Sequence, residues 1–267
     1  MLIECGLDPI HVPGFDSYET GLQGTYRAGI HLCQGQSMNL FDTDIIHFLN
    51  QFAQRSRFVD DLTNSLSSNQ TVIPIVAILW WAWFRENKEN RRIIVSSIFL
   101  CTIAIFLARL LAATLPYRER PLHNSLLQFR LPFRESPDSL IRWSSFPSDH
   151  AVFLFCLATS VFFLSRRLGI AVYCYVFIIC GVRVYLGIHY PTDILAGAVI
   201  GIGIACLILI DPLRDFLSAK PLLWAERTPT SFYPCMYLVT FLFGTMFDPL
   251  RSIASNVWRA SHSFMHH

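Results

Sequence analysis

From position 69 onward the chain reads as apolar runs separated by short polar joints. The runs are Asn69 to Phe84, Ile93 to Leu115, Pro147 to Leu164, Ile170 to Ile188, Ile194 to Ile210 and Phe232 to Phe247. A helix needs roughly 17–25 residues to cross a bilayer, and the second to fifth runs meet that; the first and last fall just short. Six such runs leave no polar faces for water, which argues against a soluble helical protein. The pattern predicts an all-α, polytopic membrane bundle of about six spanning helices. Ahead of it, Asp42 to Leu66 is amphipathic, with Ile45, Phe48, Leu49, Phe52, Val59 and Leu62 near helical spacing and Asp44, His47, Gln51, Gln54, Arg55 and Asp61 between them. Two readings stay open: an N-terminal amphipathic interfacial helix with its apolar face in the lipid boundary, or a helix docked on the rest of the protein. The expected organisation is an irregular extramembrane segment over 1–41, a membrane domain over 42–247 and a tail over 248–267. The segment before Leu40 shows neither the basic start nor the apolar run of a cleavable signal.

The joints set an orientation. Arg85, Lys88, Arg91 and Arg92 lie between runs one and two, Arg166 and Arg167 between three and four, and Arg214, Lys220 and Arg227 between five and six. By parity these joints share one face, which the positive-inside rule makes cytoplasmic. The opposite face holds the long Pro116–Phe146 loop, itself carrying Arg118, Arg120, Arg130, Arg134 and Arg142, and the short turn around Tyr190. The expected location is a bacterial inner membrane, with the site at its periplasmic face.

Composition sharpens this. Hydrophobic residues make up 53% of the 267 positions and charged ones 15%, with a net charge of +2, where soluble domains carry roughly 25% charge. The balance excludes a disordered chain and gives no basic excess for nucleic acid. The eight cysteines form no CxxC pair, so they are expected to pack as small hydrophobes rather than to hold zinc or a disulfide framework. Between Trp143 and Ile210 the only charges are Asp149, Arg166, Arg167, Arg183 and Asp193. Two of them mark a cytoplasmic joint; the other three lie beside His150 and His189.

Those residues belong to three polar clusters: Leu115 to Pro121, Phe146 to His150, and Arg183 to Asp193. Alternating helix direction brings all three to the outer face. Arginine forks match phosphate oxygens. Ser148 stands where a helix begins, so it can cap that helix, whose free N–H groups favour an anion. His189 and Asp193 are four residues apart, and a carboxylate on one imidazole nitrogen fixes the tautomer and supports a nucleophilic second nitrogen. His150 is then available as general acid. The set suits metal-free phosphoryl transfer through a phosphohistidine, with arginines on the equatorial oxygens.

The clusters resemble the three signature motifs of the type 2 phosphatidic acid phosphatase family: Lys-x6-Arg-Pro, Pro-Ser-Gly-His and Ser-Arg-x5-His-x3-Asp. Arg120-Pro121 matches the end of the first, Pro147, Ser148 and His150 the second, and Arg183, His189 and Asp193 the third with intact spacing. The resemblance covers about Asp42 to Ile210. It implies His189 as nucleophile, Asp193 as its orienting partner, His150 as the donor to the leaving group, phosphate binding by Arg120, Ser148 and Arg183 with Asp149 beside them, and no metal or other cofactor.

Three positions depart from the pattern. The family lysine falls at Ala113. Arg118 is the expected replacement, because Arg109, one turn deeper, would have to lean against the N-terminal tilt of helical side chains; a structural ion pair or a hydrogen bond to a neighbouring span is the expectation for Arg109. Asp149 replaces glycine, which is unfavourable beside phosphate unless the carboxylate turns away or binds an arginine. Bacterial members resembling undecaprenyl-pyrophosphate phosphatases share this Pro-Ser-Asp-His. Gly181-Val182 stand where the family often has serine. The expected partners are membrane lipids and a lipid phosphate or diphosphate substrate: a polyprenyl diphosphate, phosphatidic acid or phosphatidylglycerol phosphate. Phosphotransfer to a sugar or lipid acceptor would use the same motifs, and a non-catalytic lipid-binding or transport relative draws support only from Ala113.

Overall fold

The computed structural model describes residues 39–85, 87–136, 140, 143–249 and 253. Segment 1–41 up to position 38, the tail beyond Pro249 except Ile253, Arg142, Cys5, Cys33, His262, His266 and His267 lie outside them. Among the described residues the secondary structure is helical throughout: α1 (Leu40–Asn50), α2 (Arg57–Leu66), α3 (Ile73–Trp83), α4 (Lys88–Thr114), α5 (Asp149–Leu164), α6 (Arg166–Tyr185), α7 (Pro191–Cys206), α8 (Asp211–Arg227) and α9 (Pro229–Gly244), with short 3₁₀ turns between.

Among the described residues three segments are long and apolar enough to cross a bilayer: Lys88–Thr114, Arg166–Tyr185 and Pro191–Leu209, the last including a 3₁₀ extension of α7. The expected six spans are therefore not matched one for one. The first run spends Asn69–Val72 in a 3₁₀ turn, leaving α3 with 11 residues, about 17 Å of helix at 1.5 Å per residue. The last run gives a 16-residue α9 that stops before Met246 and Phe247, whose φ angles are 50° and 61°. α5, also 16 residues, is bounded by its cap Ser148 and by Ser165. It forms the centre of the bundle, packed on α4, α6 and α7, and every residue from His150 to Val161 is buried.

Close packing of α7 on α5 depends on Gly197 and Gly201, four residues apart. A Cβ at Gly201 would come 2.2 Å from the Val152 carbonyl oxygen, and one at Gly197 would come 2.7 Å from the Ala151 Cβ. The pair is a small-xxx-small helix contact, and it draws the start of α7, with Asp193, against the start of α5, with Ser148 and His150. Cys101 and Cys156 meet in the α4–α5 core with their sulfurs 3.3 Å apart and no exposure.

The basic joints gather at the other end of the bundle. α8, which the charges and prolines of its segment concealed in the sequence, lies along the start of α4: Arg92 pairs with Asp215 at 3.3 Å, Arg214 with Glu89 at 3.1 Å, and the Ser96 hydroxyl donates to the Arg214 carbonyl at 3.2 Å.

The amphipathic stretch is two helices, broken at 51–56, where Gln54 adopts φ 62° and donates its N–H to Asp60 at 3.1 Å. Their polar face turns inward. Asp42 and Asp60 are buried, while Phe41, Phe48, Phe58, Val59 and Leu62 are exposed. The polar side chains grip the backbone of the long loop. Asn50 donates to Arg130 O (2.7 Å) and accepts from Arg130 N (2.9 Å); Gln54 donates to Leu131 O (2.8 Å); Asp60 accepts from Phe133 N (2.9 Å); and Asn64 donates to Phe133 O (2.8 Å). The pair is thus docked on the protein by these polar residues and by Ile46, which is buried in the core with Ile45, Leu49 and Leu66 packed against it, while Phe41, Phe48 and Phe58 face outward.

Candidate active site

A cavity of about 390 Å³ opens where α4 ends and α5 begins. Arg109, Arg120, Asp149, His150, Arg183 and His189 line it together with Asn69, Glu135 and Asp248. The three sequence clusters do meet here. His189, Arg120, Arg183 and His150 are only 2% to 8% exposed, so these side chains are largely withdrawn from bulk water, which strengthens the electrostatic interactions among them.

His189 sits in the turn between α6 and α7, where Gly187 takes φ 70°; a Cβ there would collide with the Phe129 ring at 2.7 Å. Its Nδ1 lies 2.9 Å from the backbone carbonyl of Ser145 and 3.8 Å from Asp193 Oδ2. The direct hydrogen bond therefore goes to the carbonyl, with the carboxylate behind it. A carbonyl accepts only, so Nδ1 carries the proton and Nε2 keeps its lone pair. Burial, reinforced by Arg120 and Arg183 and opposed by Asp193, brings the His189 pKa down to about 4. The ring is neutral at pH 7.

Asp193 is wholly buried and does not line the cavity. It accepts from Tyr190 N at 2.8 Å, closing the first turn of α7, and from the Ser145 hydroxyl and Arg118. Ser145 thus joins His189 to Asp193, its carbonyl on the ring and its hydroxyl on the carboxylate. Arg118 is not in the cavity. Its guanidinium bonds Asp193, Thr192 Oγ1 (2.9 Å) and Asp42 Oδ2 (2.8 Å), and lies over the Tyr190 ring at 4.1 Å. The expectation that Arg118 replaces the missing lysine is corrected: three partners hold it behind Asp193. Arg109 is the arginine of this pair that reaches the cavity. It also makes the expected bond to a neighbouring segment, donating to the Met246 carbonyl at 2.7 Å.

Arg120 is held by three backbone carbonyls, Ile188 (2.6 Å), Trp143 (3.1 Å) and Ser144 (3.2 Å). Burial and the neighbouring Arg183 lower its pKa to about 10, which leaves it charged at pH 7. Arg183 donates to Ser67 O at 3.1 Å, and its buried Nε has no hydrogen-bond partner among the described residues. Ser148 is wholly buried and outside the cavity wall; its Oγ accepts from Ala151 N at 3.3 Å as the cap of α5. The capping half of its expected role is what the geometry shows.

His150 is bracketed by oxygens. Nδ1 lies 2.9 Å from Asp149 Oδ1 and Nε2 lies 2.8 Å from Asn69 Oδ1, while the Asn69 amide N–H reaches Asp248. Each ring nitrogen can thus carry a proton. Sequence motifs alone missed Asn69, Ser145, Met246 and Asp248. Run parity offered a signal for some of them: Asn69 opens the first run and Met246 ends the last, and counting joints puts both at the face that holds the clusters.

The comparisons agree with this geometry. Residues 115–216, which hold the motif positions of all three clusters, match the PAP2 superfamily. The chain is 20% identical over 170 residues to "Bacitracin transport permease protein BcrC" of Bacillus licheniformis, covering 62% of this chain and 78% of that one. It is 28% identical over 139 residues to "Putative undecaprenyl-diphosphatase YbjG" of Escherichia coli, with 51% and 64% covered. It is 27% identical over 189 residues to "Lipid A 1-diphosphate synthase" of Escherichia coli, with 66% and 78% covered.

Proposed function

We propose that this chain, which carries a PAP2 superfamily domain, is an integral membrane phosphatase of lipid phosphates or diphosphates that works through a phosphohistidine and needs no metal. The observation that carries the proposal is His189: its Nδ1 is anchored on the Ser145 carbonyl at 2.9 Å, so a neutral Nε2 is left for a cavity it shares with Arg120, Arg183 and His150. In the first step Nε2 attacks the terminal phosphorus, its bond to the leaving oxygen breaks (the lipid oxygen of a monophosphate, the bridging oxygen of a diphosphate), and that oxygen takes a proton from His150. In the second step water attacks the phosphohistidine and gives its proton to His150, and inorganic phosphate leaves with Nε2 restored. Arg120 and Arg183 meet the charge that develops on the equatorial oxygens. Ser148 orders the first turn of α5, and Asp193 holds Ser145 and the turn at Tyr190.

Two of the relatives' names concern lipid diphosphates, which favours that substrate class, and a polyprenyl diphosphate above the others. One of those names is a synthase, so transfer to an acceptor other than water is the second reading. Both share the first step and differ in what attacks the phosphohistidine. We place the cavity on the periplasmic face of an inner membrane, opposite the basic joints, and take 42–247 as the phosphatase unit, because Asp42 and Asp60 bond the groups that frame the site.

The test is phosphate release by the detergent-purified protein in EDTA, offered undecaprenyl diphosphate, phosphatidic acid and phosphatidylglycerol phosphate, with His189→Ala as control. Release by the wild type alone is expected. No release from any of the three, or equal release by the variant, overturns the enzyme reading. A strict need for a divalent metal overturns the mechanism.

A further inference from the structure

Of the two main departures from the family pattern, Ala113 for lysine and Asp149 for glycine, Asp149 lines the cavity, and so does Arg109, which precedes Ala113 on α4. Ala113 lies on α4, and Arg109 lies one helical turn before it on the same face. An arginine inside an apolar helix is costly unless it is paired, and Arg109 has one hydrogen-bond acceptor and one ion-pair partner, from different parts of the chain. Its Nη2 donates to the Met246 carbonyl at 2.7 Å, and its Nε lies 3.7 Å from Asp149 Oδ2. These contacts hold the guanidinium in the cavity wall with Arg120 and Arg183.

Asp149 uses both its oxygens. Oδ2 faces Arg109, while Oδ1 accepts from the His150 backbone N–H at 2.8 Å and faces His150 Nδ1 at 2.9 Å. A carboxylate in a phosphate cavity repels the ligand unless a cation and a donor occupy it, and here they do. A glycine could serve neither contact. Without Asp149, Arg109 would keep one partner and His150 would lose the group that fixes its ring.

We propose that Arg109 and Asp149 are one compensating unit. Arg109 supplies, from one turn deeper, the phosphate-contacting cation that the family places at position 113. Asp149 is a positioning residue that holds Arg109 on one side and His150 on the other, with Nε2 of His150 resting on Asn69 Oδ1 at 2.8 Å, a contact the leaving oxygen would replace. The inference rests on the phosphatase reading and adds the residues that complete its phosphate site. In the first step the leaving oxygen takes the Nε2 proton, and Asp149 stays ionised between Arg109 and the ring.

The experiment measures phosphate release from the same three lipid substrates in detergent for six proteins: wild type, His189→Ala, Arg109→Ala, Arg109→Lys, Asp149→Gly, and the triple variant Arg109→Ala, Ala113→Lys, Asp149→Gly, which restores the family pattern. Arg109→Ala is expected to lose about 10²-fold in kcat/KM, the order found for removing one charge-stabilising donor, with a higher KM and weaker inhibition by orthovanadate. Arg109→Lys keeps a cation and stays within about tenfold of wild type in this scheme. Asp149→Gly lowers kcat about tenfold with KM little changed, as loss of an orienting partner does. The triple variant recovers to within about tenfold of wild type. If Arg109→Ala stays within twofold of wild type, or Arg109→Lys is as damaged as Arg109→Ala, the inference is overturned. A folded triple variant no better than Arg109→Ala overturns the pairing. Should the triple variant fail to fold, the lysine variant and vanadate inhibition decide. A silent wild type overturns the phosphatase reading itself, whereas an active wild type, a dead His189→Ala and an unaffected Arg109→Ala overturn this inference alone.

Discussion

The helices α5 to α7 and the pair α1–α2 are held in place by contacts of different kinds. α5 hides a largely apolar cylinder and keeps its ionisable groups at one end, where Asp149 and His150 begin it; the buried Thr159 and Ser160 further along bond carbonyls one turn back. α1 and α2 hide Asp42 and Asp60 and leave Phe58 at 75% exposure. The first arrangement is driven by packing, as Gly197 and Gly201 show by letting α7 touch the α5 backbone. The second is driven by hydrogen bonds, through a row of side chains on the backbone of residues 130–133 and through Asp42 on Arg118. The bundle therefore places the reacting groups, and the α1–α2 collar braces the loop and the arginine beside them. An inverted amphipathic pair of this kind suits a chain whose surroundings are lipid, where an outward apolar face costs little.

Perturbations at the two regions should separate chemistry from bracing. The largest effect is expected at His189: His189→Ala removes the proposed nucleophile and should lower kcat by about 10³-fold or more, while thermal unfolding in detergent shows the bundle intact. Asp60→Ala strikes the collar instead. It strands the Tyr185 hydroxyl and the N–H groups of Gln54 and Phe133, each worth about 1–3 kcal/mol when buried without a partner. The expected result is a lowered unfolding temperature with a smaller fall in activity. An Asp60→Ala protein as stable as wild type would break the distinction.

pH supplies a third test. The folded pKa of His189, about 4, lies below the usual value of about 6.5. The unfolded chain therefore binds a proton at this position between those values that the folded chain refuses. The stabilising contribution is fully present above about pH 6.5 and is lost as pH falls toward 4, by about 3 kcal/mol. His189→Gln should lack that slope, so the difference between the wild-type and variant stabilities should carry it. The same shift keeps Nε2 unprotonated, so its acid limb in the activity profile belongs near pH 4. A limb near 6.5 that vanishes in no other variant would contradict the geometry at Ser145. The smallest effect is expected on the outer face of the collar: Phe58→Ser should leave activity in detergent within about twofold, as exposed positions away from structural features usually do.

How much of this could be read from the sequence follows the range of the contacts. The helical membrane class and the meeting of His150, Arg183, His189 and Arg120 rest on spacing and helix direction, and both were legible. Helix length was less so, because a 3₁₀ turn at 69–72 and left-handed residues at 246–247 shorten helices without changing hydropathy. The fate of the two arginines was misjudged for a physical reason. Arg118 is nearer the site in sequence, but Asp42, from more than seventy positions upstream, and Asp193 hold it away, while Met246 and Asp149 hold Arg109 in place. Such long-range acceptors leave no local pattern. The inward turn of Asp42 and Asp60 was hidden likewise, since their partners lie in the distant loop and at α6 and α7.

The account turns on His189 Nε2 forming a bond to phosphorus. Incubating the detergent-purified protein with undecaprenyl diphosphate carrying a ³²P-labelled terminal phosphate, quenching in alkali within the first turnover and mapping the label by peptide tests this directly. The prediction is base-stable, acid-labile label on the peptide that contains His189, lost in His189→Ala and cleared by continued turnover. Steady phosphate release by the wild type with no labelled protein, or with label on a different residue, would contradict it.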